Sequence, residues 1–280
     1  MTIIADSGST KTTWMDVASG NKIVTEGLNP HFTTDEHFLA VCDRVRRQFS
    51  TLHSSLSTHF YGAGCGNTAQ RRRTRELLSV GFGTESVEVE TDILGACRAV
   101  SADSPSLVGI LGTGSNACFY DGRDIVMQAV STGYILGDHG SANHVGRRLL
   151  QDYLTSMMPE EVCGMFHEAF PLSHDEFIES VYHKPNANRF LATLARFAVQ
   201  HLDNSYCSTT VVYDSLCGWN DYQLDSIRRA SGCTRLSLVG GFAANILPVL
   251  NRFAADHGLI LDNVVADPID GLREYHTIHI

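Results

Sequence analysis

No stretch of this 280-residue chain approaches the roughly 18 consecutive apolar residues that a bilayer span requires. The longest apolar segments, near 107–111 and 236–250, are broken by Gly, Ser, Asn and Pro. The opening residues Met1-Thr2-Ile3-Ile4-Ala5-Asp6 carry neither a basic leader nor the apolar core of a signal peptide, so a soluble, cytoplasmic protein with no membrane partner is expected. Eight cysteines are scattered at 42, 65, 97, 118, 163, 207, 217 and 233 without one C-x-x-C pair, which argues against a zinc or redox site and for reduced packing residues. Positive charge is scarce as well. With 21 Lys+Arg against 31 Asp+Glu the formal net charge is -10, which repels phosphate backbones and anionic lipid, so no nucleic-acid partner is expected. The one dense basic run, Arg71-Arg72-Arg73-Thr74-Arg75, reads as the solvated face of an amphipathic helix.

The remaining composition, 43% hydrophobic and 19% charged, is that of an ordinary packed protein, and the length suits two medium domains. Thr2 to Ala5 and Lys11 to Val17 are β-branched runs on either side of a Ser/Gly/Thr turn, which predicts a hairpin, and Lys22 to Glu26 adds a third strand. Phe38, Leu39, Val41, Cys42, Val45 and Phe49 recur at helical spacing behind Thr34, predicting a capped helix over 34–49. Strand and helix then alternate at 59–61, 67–79, 87–90 and 92–101, as in a mostly parallel layered sheet. The pattern halts at Ala102-Asp103-Ser104-Pro105-Ser106 and restarts with strands at 107–111, 116–120 and 125–129. A helical block of about 140–231 follows, punctuated by Pro159, Pro171 and Pro185. A strand at 236–239, a Gly240-Gly241 turn, a helix at 242–256, a short strand near 263–265 and a helix from about 268 complete the chain. Two similar α/β domains facing a cleft, 1–105 and 106–280, are the expected plan, with the last helix a candidate to pack back on the first domain.

Three turns carry the chemistry. Asp6-Ser7-Gly8-Ser9-Thr10-Lys11-Thr12 puts an acid at the end of a buried strand, then a hydroxyl-rich turn whose N–H groups and hydroxyls suit phosphate, with the carboxylate suited to Mg²⁺. It is not a Walker A loop, because a strand follows it and the first glycine is missing. Any tight hairpin also favours Asp, Ser and Gly, so this segment alone reads first as a plain turn. Gly112-Thr113-Gly114-Ser115-Asn116 stands in the equivalent place in the second half. Leu238-Val239-Gly240-Gly241 feeds a helix through a glycine pair that lets the backbone approach a flat or anionic ligand.

In order and spacing these turns resemble the phosphate 1, phosphate 2 and adenosine motifs of the actin-like sugar kinase and hexokinase superfamily, and within it the N-acetylglucosamine kinase and BadF/BcrA-type ATPase group. The resemblance covers nearly the whole chain. Leu28-Asn29-Pro30-His31, Gly62-Ala63-Gly64-Cys65, Glu90-Thr91-Asp92 and Leu136-Gly137-Asp138-His139-Gly140-Ser141 are similar to sugar-site and cleft segments of N-acetylglucosamine kinases, and Pro268-Ile269-Asp270-Gly271-Leu272 to the family's C-terminal helix. The fold implied is α/β, two RNase H-like actin-type ATPase domains around a nucleotide and sugar cleft, with a helical block inserted in the second.

The activity implied is ATP-dependent, Mg²⁺-assisted phosphorylation of an amino sugar, N-acetylglucosamine at its 6-hydroxyl first. Phosphoryl transfer of this kind needs a phosphate cradle, a divalent ion and an acceptor for the hydroxyl proton. The match implies Asp92 as that base, although on residues alone it serves equally as a helix N-cap. It implies Asp6 as the magnesium anchor, and Ser7, Gly8, Ser9, Thr10, Lys11, Gly112, Thr113, Gly114, Gly240 and Gly241 as nucleotide contacts. Lys11 fits a solvated strand residue as well. Asn29, Asn116, Asp138 and His139 fall at sugar-binding positions, where turn or cap roles are the alternative. His139 departs from the Glu usual in this group and places a mainly neutral imidazole beside the sugar. A homodimer is the family habit. Two other functions stay open at this point: an ATPase activator coupled to electron transfer through a cysteine-held cluster, and a sugar sensor without catalysis.

Overall fold

The structure is a computed structural model and describes residues 1–49 and 56–279. The chain divides into two compact units, Met1–Ser104 with Gly122–Asp124 and Asp267–Ile280, and Pro105–Asp121 with Ile125–Ala266.

The first unit holds β1 (Thr2–Ser7), β2 (Lys11–Asp16), β3 (Lys22–Glu26), α1 (Asp35–Gln48), β4 (Ser57–Gly62), α2 (Thr68–Phe82), β5 (Val87–Thr91) and α3 (Asp92–Ser101). Its sheet runs β3-β2-β1-β4-β5, antiparallel through the first three strands and parallel from β1 to β5. Both faces of β1 are covered, which is why it reads as an uninterrupted apolar run. Ile3 and Ala5 join Trp14, Phe38, Phe60, Leu78 and Phe82 on the side of α1 and α2, while Ile4 packs with Met15 and Tyr61 on the other. Each large side chain so enclosed contributes about 1.5–3 kcal/mol relative to exposure. α1 starts at Thr34, whose side chain accepts from the His37 N–H as the capping pattern predicts.

The second unit holds β6 (Ser106–Leu111), β7 (Ser115–Tyr120), β8 (Ile125–Gln128), α4 (Gly133–Leu136), α5 (Ala142–Leu154), α6 (Glu160–Ala169), α7 (His174–Tyr182), α8 (Ala187–Gln200), α9 (Asp214–Trp219), α10 (Asp225–Ser231), β9 (Arg235–Val239), α11 (Gly241–Asn245), α12 (Leu247–Asp256) and β10 (Ile260–Val265). Wider π-type turns at Tyr206–Tyr213 and Asn220–Leu224 flank α9. The sheet order is β10-β9-β6-β7-β8, with β6 antiparallel to β7 and parallel to β9. Read from its central strand it repeats the first sheet: a hairpin and third strand on one side, two parallel strands on the other. β10 begins three residues earlier than the sequence predicts, because the polar residues Asp262 and Asn263 hide an edge strand that pairs with β9 around a bulge. α4, a single turn opened by Gly133 at φ 73°, was outside the predicted elements. The eight cysteines are free thiols, and among the described residues no helix is long and apolar enough to cross a membrane.

The last helix, α13 (Ile269–His279), belongs to the first unit, where Ile269 and Leu272 pack with Ile4, Met15 and Tyr61. Its His276 is 4% exposed and lies 2.8 Å from the Tyr61 hydroxyl. That hydroxyl accepts from Arg98 Nη1, so it donates to His276 Nε2 and selects the neutral imidazole. Burial, then the neighbouring His59, Arg98 and His279, pushes His276 down to about 3. The unfolded chain therefore binds a proton that the folded chain refuses between pH 6.5 and 3, so this contribution is complete above pH 6.5 and is lost as pH falls through that window. His276→Gln, which keeps an acceptor for Tyr61 without a titrating ring, is expected to lose less melting temperature between pH 7 and 5 than the unaltered protein. Equal losses in a thermal melt would remove His276 from the acid response.

Candidate active site

The three parallel strands of the first sheet end together: Ser7 stands opposite Gly62, and Gly62 opposite Thr91. Ligands of open α/β sheets bind beyond such carboxyl ends. Asp6, the 7–10 turn, the 62–65 turn and Asp92 thus share one edge. The turn closes through Gly8 N–H to the Lys11 carbonyl at 3.0 Å. Ser7 Oγ lies 2.8 Å from Thr12 Oγ1 and accepts from Leu28 N at 3.1 Å, while the Ser7 carbonyl accepts from Ala63 N at 2.8 Å. Gly27 donates to the Thr10 carbonyl at 3.0 Å, and a Cβ there would come within 2.7 Å of Ser9 backbone carbon, so only glycine lets the 27–31 loop lie against the turn. Asn29 is buried in that loop, its Oδ1 accepting from His31 N at 3.0 Å.

Part of the basic run is not a solvated face. Arg73 donates to the Pro30 carbonyl at 2.5 Å, to the Thr33 carbonyl at 2.8 Å and, through Nε, to Asp35 at 2.8 Å, which fastens the Asn29 loop to α2. Arg71 donates to the Cys65 carbonyl at 2.9 Å.

Asp92 is the first residue of α3, but the cap is Thr91, whose hydroxyl accepts from Leu94 N at 3.3 Å. The carboxylate of Asp92 accepts from Ile93 N at 2.9 Å and is only partly exposed. Burial pushes its carboxyl up, with backbone N–H groups opposing. Asp6 is pushed up to about 8, first by burial and then by the Asp267 and Asp92 carboxylates, with Lys11 opposing. Asp267 was not singled out by the sequence. It accepts from Lys11 Nζ at 2.5 Å, Thr13 Oγ1 at 3.1 Å and Ile269 N at 3.1 Å. Burial alone would raise it, yet these donors outweigh that and hold its carboxyl below the usual range. Lys11 is accordingly an ion-pair partner with half its side chain exposed, an arrangement worth about 0–1 kcal/mol.

Hard carboxylate oxygens crowded until one is driven toward neutrality fit an oxygen-seeking divalent cation, which would relieve the repulsion. Among the described residues no three His, Cys, Asp or Glu groups form a cage by themselves. Two neighbouring carboxylates, Asp6 and Asp267, are as many as Mg²⁺ takes from protein when it keeps several waters and binds substrate phosphates.

In the second unit, Gly112, Thr113 and Gly114 form the tip of the β6-β7 hairpin, closed by Gly112 N–H to the Gly114 carbonyl at 3.0 Å. The start of α5 holds this tip: Ala142 N donates to the Gly112 carbonyl at 2.9 Å, and Asn143 Nδ2 to the Thr113 carbonyl at 2.6 Å and to Asp138 at 2.8 Å. Asp138, at φ 55°, occupies the left-handed region that Asp tolerates better than most residues and also accepts from Ser115 N at 3.2 Å. Asn116 is half-buried on β7, its Oδ1 accepting from Ala117 N at 2.8 Å. Gly240 lies against the same hairpin, since a Cβ on it would collide with the Leu111 carbonyl and stand 3.1 Å from Gly112 N. The Cβ positions of Gly112 and Gly241 meet open space. His139 follows Asp138, with the ring of His144 4.7 Å away and that of Tyr222 4.4 Å away. His144 Nδ1 lies 2.6 Å from Ser215 Oγ. Asn143, His144, Ser215 and Tyr222, which adjoin these candidates, were not singled out by the sequence. The predicted residues therefore fall into two groups, one in each unit: Asp6, Ser7, Gly8, Ser9, Thr10, Lys11, Asn29 and Asp92, and Gly112, Thr113, Gly114, Asn116, Asp138, His139, Gly240 and Gly241.

Two sheets that each pair an antiparallel three-strand meander with two parallel strands, with glycine turns at the strand ends, define an actin-like ATPase fold of the sugar kinase type. Over the full length of both chains this one is similar to a provisionally named N-acetylglucosamine kinase of Porphyromonas gingivalis, at 36% identity and a TM-score of 0.92. A provisionally named N-acetylglucosamine kinase of Chromobacterium violaceum shares the fold at 16% identity and a TM-score of 0.64, with 98% of each chain covered. So does a ROK family glucokinase of Streptomyces griseus in complex with glucose and AMPPNP, at 14% identity and a TM-score of 0.57, covering 99% of this chain and 98% of that one. No protein-family model and no curated protein matches the chain. The chain belongs to the N-acetylglucosamine kinase family of the actin-like superfamily, a family of ATP-dependent carbohydrate kinases.

Proposed function

We propose that the protein transfers the γ-phosphoryl group of ATP to the 6-hydroxyl of an amino sugar, N-acetylglucosamine first and other hexosamines after it. The observation that carries this reading is Asp92: Thr91 caps α3, so the Asp92 carboxylate is not needed there, and it stands at the strand edge that also bears the 7–10 turn. Its raised basicity suits a group that must take a proton from an alcohol as the oxygen attacks. The 7–10 turn, Lys11 and the 112–114 hairpin tip offer N–H groups and hydroxyls to the phosphates, and the Gly240-Gly241 turn leaves space for the adenosine. Asp6, with Asp267 beside it, would hold Mg²⁺ through water. Bound there, the ion would supply charge neutralisation of the phosphate oxygens. Asn29, Asn116, Asp138 and His139 are the candidates to orient the sugar hydroxyls, and the assembly is read as a homodimer.

A coupled assay with ATP, Mg²⁺ and a panel of hexosamines tests the reading: ADP release should require the sugar and yield its 6-phosphate. Sugar-independent ADP release with no sugar phosphate would sink it. Arg73, which ties the segment after Asn29 to α2 through the Pro30 and Thr33 carbonyls and Asp35, gives a separate check. Arg73→Met is expected to raise KM for the sugar about tenfold with kcat changed much less, because a loosened loop costs binding before chemistry. A changed KM for ATP with an unchanged sugar KM would contradict the placement of Asn29 in the sugar site.

A further inference from the structure

The hairpin tip 112–114 rests on the first turn of α5, and one buried side chain of that turn, Asn143, joins it to Asp138. The helix needs no cap from Asn143: Ser141 is the N-cap, its hydroxyl accepting from His144 N at 3.3 Å. The next two N–H groups, those of Ala142 and Asn143, turn to the tip and donate to the Gly112 and Thr113 carbonyls at 2.9 and 3.1 Å. The carbonyl and N–H of a trans peptide point in opposite directions, so pinning the Thr113 carbonyl on α5 aims the Gly114 N–H away from the helix.

Asn143 is 1% exposed, and its amide nitrogen uses both hydrogens, one on the Thr113 carbonyl at 2.6 Å and the other on Asp138 Oδ2 at 2.8 Å. Both partners are oxygens that accept, which settles the orientation of the amide. Its Oδ1 is buried with no hydrogen-bond partner among the described residues. An orphaned oxygen makes a buried amide a poor packing residue, because an apolar side chain of the same shape avoids that penalty. What Asn supplies here, and Leu could not, is the pair of donors. Asp138 also accepts from Ser115 N at 3.2 Å and lies so near the tip that a Cβ on Gly114 would stand 2.9 Å from its Oδ2. One amide therefore grips both a residue assigned to the sugar and a carbonyl of the phosphate hairpin.

We propose that Asn143 is the positioning residue through which the two substrates tighten each other's binding: a sugar seated on Asp138 fixes the amide, and the amide fixes the Thr113 peptide that the phosphates meet. The identity of the two ligands rests on the sugar-kinase reading above; the inference adds how their sites communicate inside the second unit. Without sugar, the nucleotide must order Asp138, the amide and the tip together. With sugar bound that ordering has already occurred, so the nucleotide binds more tightly. Linkage then requires the nucleotide to favour the sugar by the same factor. Asn143 itself touches neither ligand.

Calorimetry gives the coupling factor directly, as the Kd of AMPPNP with Mg²⁺ measured without sugar divided by the Kd measured with saturating N-acetylglucosamine. For the unaltered protein this factor is expected to be about fivefold or more, and to be the same when the sugar is titrated with and without AMPPNP. Asn143→Leu keeps the side-chain volume and both backbone bonds to the tip, so each ligand alone should bind within about threefold of the unaltered protein while the factor falls below about twofold. A side chain that merely supported the fold would weaken the single-ligand Kd values and leave their ratio unchanged, and that pattern overturns the proposal. So does an unaltered protein that binds both probes without coupling. Should Asn143→Leu not fold, Asn143→Ala decides by the same ratio. Binding of neither probe would end the sugar-kinase reading and this proposal with it, whereas coupled binding with no phosphate transfer would overturn that reading alone and support this one.

Discussion

Asp92→Asn is expected to bind nucleotide and sugar within about threefold of the unaltered protein while losing roughly 10²- to 10⁴-fold in kcat, the span that a positioned general base contributes. The substitution is close to isosteric. Its amide oxygen still accepts from Ile93 N, and Thr91 continues to cap α3, so the start of the helix has no reason to move. What is lost is the proton acceptor. A loss of 10⁴ corresponds to about 5.5 kcal/mol of transition-state stabilisation, far more than the surface charge of one carboxylate is worth. Because the interaction is needed only as the hydroxyl attacks, kcat and kcat/KM should fall together. Steady-state kinetics with calorimetric Kd values separates the cases: unchanged Kd with collapsed turnover supports the assignment, and near-normal turnover removes Asp92 from the chemistry.

The candidate residues could be singled out in sequence because strand ends and tight turns announce themselves locally. An acid ending a β-branched run, a Ser/Gly/Thr turn, and a glycine pair between strand and helix are each set by backbone geometry within a few residues. Asp267 was not, since its partner Lys11 is 256 positions away and an acid before a proline looks like any helix entry. Arg73 was read as solvated because its acceptors are the carbonyls of Pro30 and Thr33, which every residue carries. Tyr222 sits in a π-type turn where the 3.6-residue period fails, so no face assignment reached it. The edge strand β10 was half hidden for a related reason, its solvent-facing Asp262 and Asn263 lacking any strand preference. Long-range pairing and backbone acceptors, not weak signals in the motifs, account for what the residues alone did not disclose.

Gly240 and Gly241 are adjacent, and their substitutions should separate folding from ligand binding. Gly240 has φ 135° and ψ 145°, at the border of a region that side-chain-bearing residues scarcely enter, and its N–H donates to the Val265 carbonyl at 2.8 Å, so the chain cannot rotate away without losing that bond. Gly240→Ala would add backbone strain of about 1–3 kcal/mol. The new methyl group would also press on the Leu111 carbonyl and Gly112, the root of the phosphate hairpin. Melting temperature is expected to fall by roughly 4–10 °C, and Kd for an ATP analogue to rise at least about tenfold as the hairpin shifts. Gly241→Ala meets open space and helical backbone, so stability should stay within about 0.5 kcal/mol. Its methyl group would nonetheless stand in the space assigned to the nucleotide, and Kd for the analogue should rise although the melt does not change. If both variants bind the analogue as tightly as the unaltered protein, the 240–241 turn is a structural corner and the adenosine assignment fails. If only Gly240→Ala loses affinity, and in step with its stability, the turn supports the phosphate hairpin without touching the ligand.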